Sequence, residues 1–321
     1  MYRNSRLLVL ENEKIRVSVL LDKGSDIIEF LYKPTDTDFM WRSPMEHVNL
    51  YKYIQSIPNT IDFRDYYLGG WQEIFPVGAE GFTLSQAKIG NHGELWGLPW
   101  NYTIIRDEPE EVKVQLWTHT IRTPFRVEKV LALKTNRPVL FVQEKIENLG
   151  AVDLGVMWGH HPAFGEAFLD ENCLVFVPAK SAIDAEKNVY AWPVHEGKDF
   201  SKVLPKNSDI WNMYYLQELS DGWYAIVNRT KKIGFGMVWD KNLFRYLWFW
   251  GCYNYKSISP WYGRAYTIAL EPFTSLPHPV DPNTLYVIPA GKTIHTVLKA
   301  LAISGKSSIQ NITPEGIVIG D

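Results

Sequence analysis

Cysteine is scarce. Cys173 and Cys252 are the two in 321 residues, and they stand far apart in the chain. Two distant thiols cannot build a cysteine-rich metal site, a disulfide between them is not expected, and a reducing, cytoplasmic setting is the simplest reading. A dominant sign of charge is missing too. There are 33 Lys and Arg against 36 Asp and Glu, a net charge of −3, with the signs interspersed. That excludes the basic footprint of a nucleic-acid binder and the basic face of a membrane-surface protein. No apolar run approaches the ~20 residues that span a bilayer. Leu7-Leu8-Val9-Leu10 is too short for a signal-peptide core and runs at once into Glu11, Glu13 and Lys14. A soluble protein is expected. Amphipathic helix is absent beyond about three turns, and there is no fixed repeat or Pro/Ser-rich linker, so residues 1–321 read as one domain.

What is abundant is aromatic: 13 Trp, 17 Tyr and 15 Phe. Most should fill strands and core, while a flat ring with a polar edge also suits the C–H face of a sugar. The chain reads as many short strands. Ile15, Val17, Val19 and Leu21 alternate with Arg16, Ser18 and Leu20, Asp22-Lys23-Gly24 turns, and Ile27–Tyr32 returns. Similar runs recur at 112–116, 125–133, 139–142, 174–177, 223–227, 233–238, 247–250, 266–270 and 293–298. The fold class is therefore all-β, an antiparallel sandwich or a barrel-like closure. Asn49 to Asp65 is irregular and aromatic, as in a loop that carries function or covers a cleft. From Gln310 on, the chain reads as a loosely attached tail.

Three stretches hold ionisable side chains beside Gly or Pro at the ends of strand-like runs. They are Asn91-His92-Gly93-Glu94, Gly159-His160-His161-Pro162-Ala163-Phe164-Gly165, and Leu270-Glu271-Pro272. Proline pushes the residue before it toward extended geometry, which would aim an imidazole out of a strand end into a cleft. Either His160 or His161 could be the functional one. Neighbours on a strand point to opposite faces, so the pair is a poor set of metal ligands. Trp71, Gln72 and Glu73, after Gly69-Gly70, read as a site wall. Trp248 and Trp250 share one strand face and form either core or a stacking platform. Arg64 and Arg122 could each bind a hydroxyl, carboxylate or phosphate, or be solvated charges. His119 and His278 read as structural or surface residues.

The order His-Gly…Pro-Trp (His92 to Trp100), His-Pro-x-Phe (His161 to Phe164) and a late Leu-Glu-Pro (Leu270 to Pro272) resembles the galactose mutarotase, or aldose 1-epimerase, superfamily. The Gly-Gly-Trp-Gln…Phe-Pro stretch from Gly69 to Pro76 is similar to its divergent aldose-epimerase-like branch. The resemblance runs to about Ser304. It implies an antiparallel β-supersandwich with a sugar site on a concave sheet face. It also implies roles: His161 as general acid toward the ring oxygen, Glu271 as general base toward the anomeric hydroxyl, and His92 as a second contact near the ring oxygen. Ala163 stands where the family usually has Tyr, and Glu94 where relatives often have Gly or Phe.

Mutarotation opens and recloses a cyclic hemiacetal, and an acid and a base suffice for it without metal or cofactor. An aldose 1-epimerase-type isomerase of small-molecule carbohydrates is therefore expected, with Trp71, Gln72, Glu94, His160, Arg64, Arg122 and Trp250 as substrate contacts. Glu94 is expected to raise the pKa of an imidazole by its charge. Two rival readings use the same face: a sugar sensor without turnover, kept open by Ala163, and an epimerase acting at another carbon. A glycoside hydrolase is a weaker fit, since only Glu271 is clearly placed and two opposed carboxylates are wanted. A monomer and a homodimer both fit the sequence.

Overall fold

Side-chain alternation along short strands decides the architecture. In a computed structural model that describes residues 2–45, 63–78, 83–84 and 86–321, two large sheets stack face to face. Of the expected loop at Asn49–Asp65 only the end is described, in a 3-10 turn over Phe63–Tyr66; residues 49–62 lie outside the described ones.

Among the described residues the larger sheet has eleven strands. At its centre lie Trp71–Ile74, Gly159–Phe164, Tyr266–Phe273, Tyr246–Tyr253 and Ile210–Gln217, each antiparallel to its neighbour. The smaller sheet has eight, with Ile233–Val238, Thr293–Ser304, Val139–Asn148 and Phe125–Lys134 side by side. This is the all-β antiparallel sandwich the sequence pattern called for. Among the described residues no helix is long and apolar enough to cross a membrane.

The inward faces meet in an aromatic layer. Phe30 and Phe164 of the large sheet each bring their ring centroid to 5.1 Å from that of Phe235 on the small one. Both cysteines are buried free thiols. Gly159–Phe164 differs from the expected strand end: it is itself a strand, buried along its whole length, with Pro162 inside it. Proline donates nothing to a ladder. On the side of Tyr266–Phe273 the strand is paired at Gly159 and again only at Ala163 and Phe164.

The tail is also a correction. Asn311–Ile312 pairs with Val318–Ile319, and Ile309 and Ile312 are buried against Trp223, Ala225, Val227, Leu301 and Ile303. Those residues form the outer face of the small sheet, an apolar surface that would otherwise meet water.

The Gly69-Gly70 pair threads between two segments. Both residues have φ +81°, and a Cβ would sit 2.2 Å from the Trp41 carbonyl oxygen at Gly69 and 2.5 Å from that of Ile27 at Gly70. A left-handed L-residue costs about 1–2 kcal/mol before any clash. Gly69→Ala should therefore lose at least about 2 kcal/mol in urea unfolding. Gly90→Ala, where an added methyl meets nothing within 4 Å, should stay within about 0.5 kcal/mol of the parent. Equal small effects would show that the crossing is loose.

Candidate active site

One row of side chains crosses the middle of the large sheet on the face away from the small one. Gln72 pairs with His161, Trp248 with Glu271, and Tyr215 with Trp248. His161 falls opposite Glu271, because the flanking pairs are Gly159 with Phe273 and Ala163 with Ala269. Two residues far apart in the chain thus become cross-strand partners, with His161 Nε2 3.3 Å from Glu271 Oε1. They sit where Pro162 interrupts the ladder.

The pair opens into a cavity of about 340 Å³. His92, Arg64, Asn91, Tyr67 and Tyr215 are among its other polar lining residues, and Trp211, Trp248, Trp250 and Trp261 wall it. His92 arrives on a turn with φ +63°, followed by Gly93 at +78°. A Cβ on Gly93 would meet the Phe75 carbonyl oxygen at 2.2 Å, so only glycine lets this turn press against the strand end. The turn stacks the His92 ring on Phe63 at 4.1 Å and sets it 5.3 Å from that of His161. Residues 64, 92, 161, 250 and 271 of the expected set therefore share one cavity.

Burial governs the charges here. It pushes the Glu271 carboxyl well above the usual carboxylate range, and lowers His161 to about 4. His92 is lowered well below the usual imidazole value by burial first, then by His161 and Arg64. Burial thus favours neutral imidazoles and a protonated carboxyl at this site.

Other expected contacts lie elsewhere, for reasons of strand parity. Trp71, Glu73 and His160 occupy the alternate positions and point between the sheets. There the Trp71 Nε1–H donates to His160 Nδ1 at 3.2 Å, and His160 Nε2 lies 3.1 Å from Glu144 Oε2. Glu73 accepts from Lys129 at 3.0 Å and from the Trp158 indole at 3.1 Å. Gln72 is on the cavity face but wholly buried, donating to Asp26 and, at 2.5 Å, to the Gly69 carbonyl. It pins the glycine crossing and does not line the cavity.

Glu94 and Arg122 are corrections of another kind. The Glu94 carboxylate accepts from the backbone N–H groups of Ile121 and Arg122 at 2.8 and 2.7 Å, and from the Thr123 hydroxyl at 2.6 Å. It clamps a turn, and burial, not Glu94, shifts the imidazoles. Arg122 is exposed and donates to the Lys88 carbonyl. His119 and His278 are exposed.

A group that sequence reasoning missed is Tyr67. Its hydroxyl lies 3.3 Å from His161 Nδ1, and it lines the cavity. The available signal was its place between the aromatic stretch and Gly69-Gly70, which shows a constrained segment but no partner.

Residues 3–298 match a family model described as "Domain of unknown function (DUF4432)". No curated protein matches the chain in sequence. Among solved structures, a Klebsiella pneumoniae protein described as a "putative aldose 1-epimerase" is similar with a TM-score of 0.73 at 14% identity, covering 94% of this chain and 80% of that one. An Escherichia coli K12 protein of the same description gives 0.67 at 14% identity over 94% of this chain and 100% of its own. A galactose mutarotase-like protein from Lactobacillus casei gives 0.64 at 15% identity over 92% and 100%. At these identities the likeness is one of fold.

Two outcomes follow from the geometry. Glu94→Ala removes three acceptor contacts from the turn and should cost about 1–3 kcal/mol in unfolding free energy, leaving the acid limb of any rate profile where it was; a moved limb would restore Glu94 to the site. Glu271 has a raised folded pKa, so its contribution to stability is full below the unfolded value and is lost as pH rises toward the folded one. Glu271→Gln, which never ionises, should gain on the parent in thermal unfolding as pH rises above about 5, past the unfolded carboxyl value. A constant difference across that range would mean the carboxyl is not held protonated.

Proposed function

The chain belongs to the DUF4432 family, on a galactose mutarotase-like fold, and from that premise we propose that it is an aldose 1-epimerase-type isomerase that interconverts the anomers of a sugar. The observation that carries this reading is the 3.3 Å pair of His161 Nε2 and Glu271 Oε1, buried at an aromatic-walled cavity with His92 beside it.

The anomeric oxygen and the ring oxygen of a pyranose are bonded to the same carbon. Two adjacent groups can therefore reach both. In ring opening, the carboxyl of Glu271 gives its proton to the ring oxygen while His161 Nε2 takes the proton of the anomeric hydroxyl. The C1–ring oxygen bond breaks and the C1–O1 carbonyl forms, leaving carboxylate and imidazolium. The aldehyde turns its other face, the ring hydroxyl adds to it, and the two protons return. The pair ends as it began, with no net proton taken from water. Burial favours the protonated carboxyl as the resting form. That makes Glu271 the acid and His161 the base in the opening step, the reverse of the roles implied by the resemblance; the closing step uses them the other way round. Neutral His92 supplies a further polar contact, and Trp248 and Trp250 offer faces for the sugar's C–H surface.

Glu271→Gln should slow anomer exchange by at least about 10²-fold, the lower end of what a general acid–base group contributes. Polarimetry, or exchange broadening of anomeric NMR signals across aldoses, uronates and sugar phosphates, measures it, and an unchanged rate on a responsive sugar would reject the assignment. The profile of kcat/KM reports free-enzyme pKa values, so its acid limb should lie near pH 4, where His161 protonates and the base is lost. A limb at ~6.5 would mean an ordinary, solvated imidazole. Sugar binding without faster exchange in the parent would favour a sensor, and deuterium entering at carbon from heavy water would favour epimerisation elsewhere.

A further inference from the structure

The proposed cycle leaves open what holds the His161 ring so that Nε2, and not Nδ1, handles the proton. Nδ1 has a partner on the opposite side from Glu271: the Tyr67 hydroxyl at 3.3 Å. The phenol ring meets the imidazole edge-on, with centroids 5.5 Å apart, and is fixed among Trp41 at 5.5 Å, Phe63 at 4.8 Å and Trp261 at 6.2 Å. Its backbone leads into Gly69, whose carbonyl Gln72 holds, so the chain from which the phenol projects is anchored at that crossing.

We propose that Tyr67 is a positioning residue for the reaction: its hydroxyl oxygen accepts the Nδ1–H of His161, leaving Nε2 as the one nitrogen that exchanges protons with Glu271 and the sugar. The inference rests on the isomerase reading for its kinetic consequence, but not for the contact. Proton counting decides the direction of the hydrogen bond. Carboxyl beside imidazole, and carboxylate beside imidazolium, hold the same number of protons, and in both forms Nδ1 keeps its hydrogen. The opposite arrangement, with Tyr67 donating to Nδ1, puts the ring hydrogen on Nε2, which cannot accept the carboxyl's proton and is best matched by an ionised Glu271. Burial of Glu271 opposes that state. Tyr67 itself stays protonated, raised well above the usual phenol value by burial, then by Glu271 and Asp26. Its phenol hydrogen remains free to turn toward the cavity. The other ionisable groups near the pair include His92 with Arg64 beside it, Tyr215 and Tyr224, and Asp26 on the side of Tyr67.

The test is Tyr67→Phe, which deletes one oxygen and keeps the ring. In 15N-labelled protein, with His161 identified by comparison with His161→Gln, the imidazole shifts should report the Nδ1–H tautomer in the parent. In Tyr67→Phe they should move toward a mixture with Nε2–H. On a sugar that the parent anomerises, kcat should fall about 10- to 100-fold with KM within about twofold, short of the 10²–10⁴ expected for losing the acid–base group itself. Nε2–H in the parent, or an unchanged tautomer in Tyr67→Phe, would overturn the proposal. The spectroscopic arm decides it on the parent alone if the variant fails to fold. A parent that anomerises no sugar yet shows the expected tautomers would count against the isomerase reading and leave the Tyr67 contact standing.

Discussion

A carboxyl group kept out of water beside an imidazole is the constraint on which the rest of this structure depends. Glu271 is buried on a central strand, and an ionised carboxylate there would be costly without a matching charge. Burial favours leaving the proton on. The neighbour is an imidazole that can trade the same proton, and aromatic rings wall the cavity beside them. Such a pair is poor for stability and well suited to passing a proton between two oxygens on one carbon.

The same strand solves an opposite problem on its other face. His160 meets Glu144, and Glu73 meets Lys129, between sheets that are otherwise packed with apolar side chains. Buried polar and charged pairs add little net stability. They do distinguish one register from another. Gly159–Phe164 is buried on both faces, so hydrophobicity alone would tolerate a slip of one residue. That slip would exchange His160 with His161, moving one imidazole away from Glu144 and the other away from Glu271. Polar groups on the two faces have different partners, and only one register serves both.

Much of the fold was legible because its signal is local. Alternation and turn residues mark strands such as Ile15–Leu20, Ile27–Tyr32 and Ile233–Val238 wherever a chain meets them. The tail beyond Gln310 was not legible, since its Ile309 and Ile312 gain their meaning from an apolar face built by strands elsewhere. Within the site, His92, His161, Glu271, Arg64 and Trp250 were singled out and do share a cavity. Trp71 and His160 were drawn in by being next door in sequence, and adjacency on a strand means opposite faces. Glu94, two residues after His92, turned instead to the free N–H groups of a turn at 121–123. A half-buried acceptor near open donors takes them in preference to a more distant imidazole.

By itself the sequence determined the elements: an all-β chain, rich in rings, with imidazoles and a carboxylate set beside Gly and Pro. Tertiary structure alone decided which of those groups meet. The pairing of Gly159–Phe164 with Tyr266–Phe273 makes His161 and Glu271 neighbours across more than a hundred residues of chain. It decided the direction of the pKa shifts as well, because the desolvation that raises Glu271 and lowers His161 comes from the strands and rings around them. And it decided that Tyr67 stands behind the imidazole, since a hydroxyl carries no mark in sequence of the nitrogen it will face.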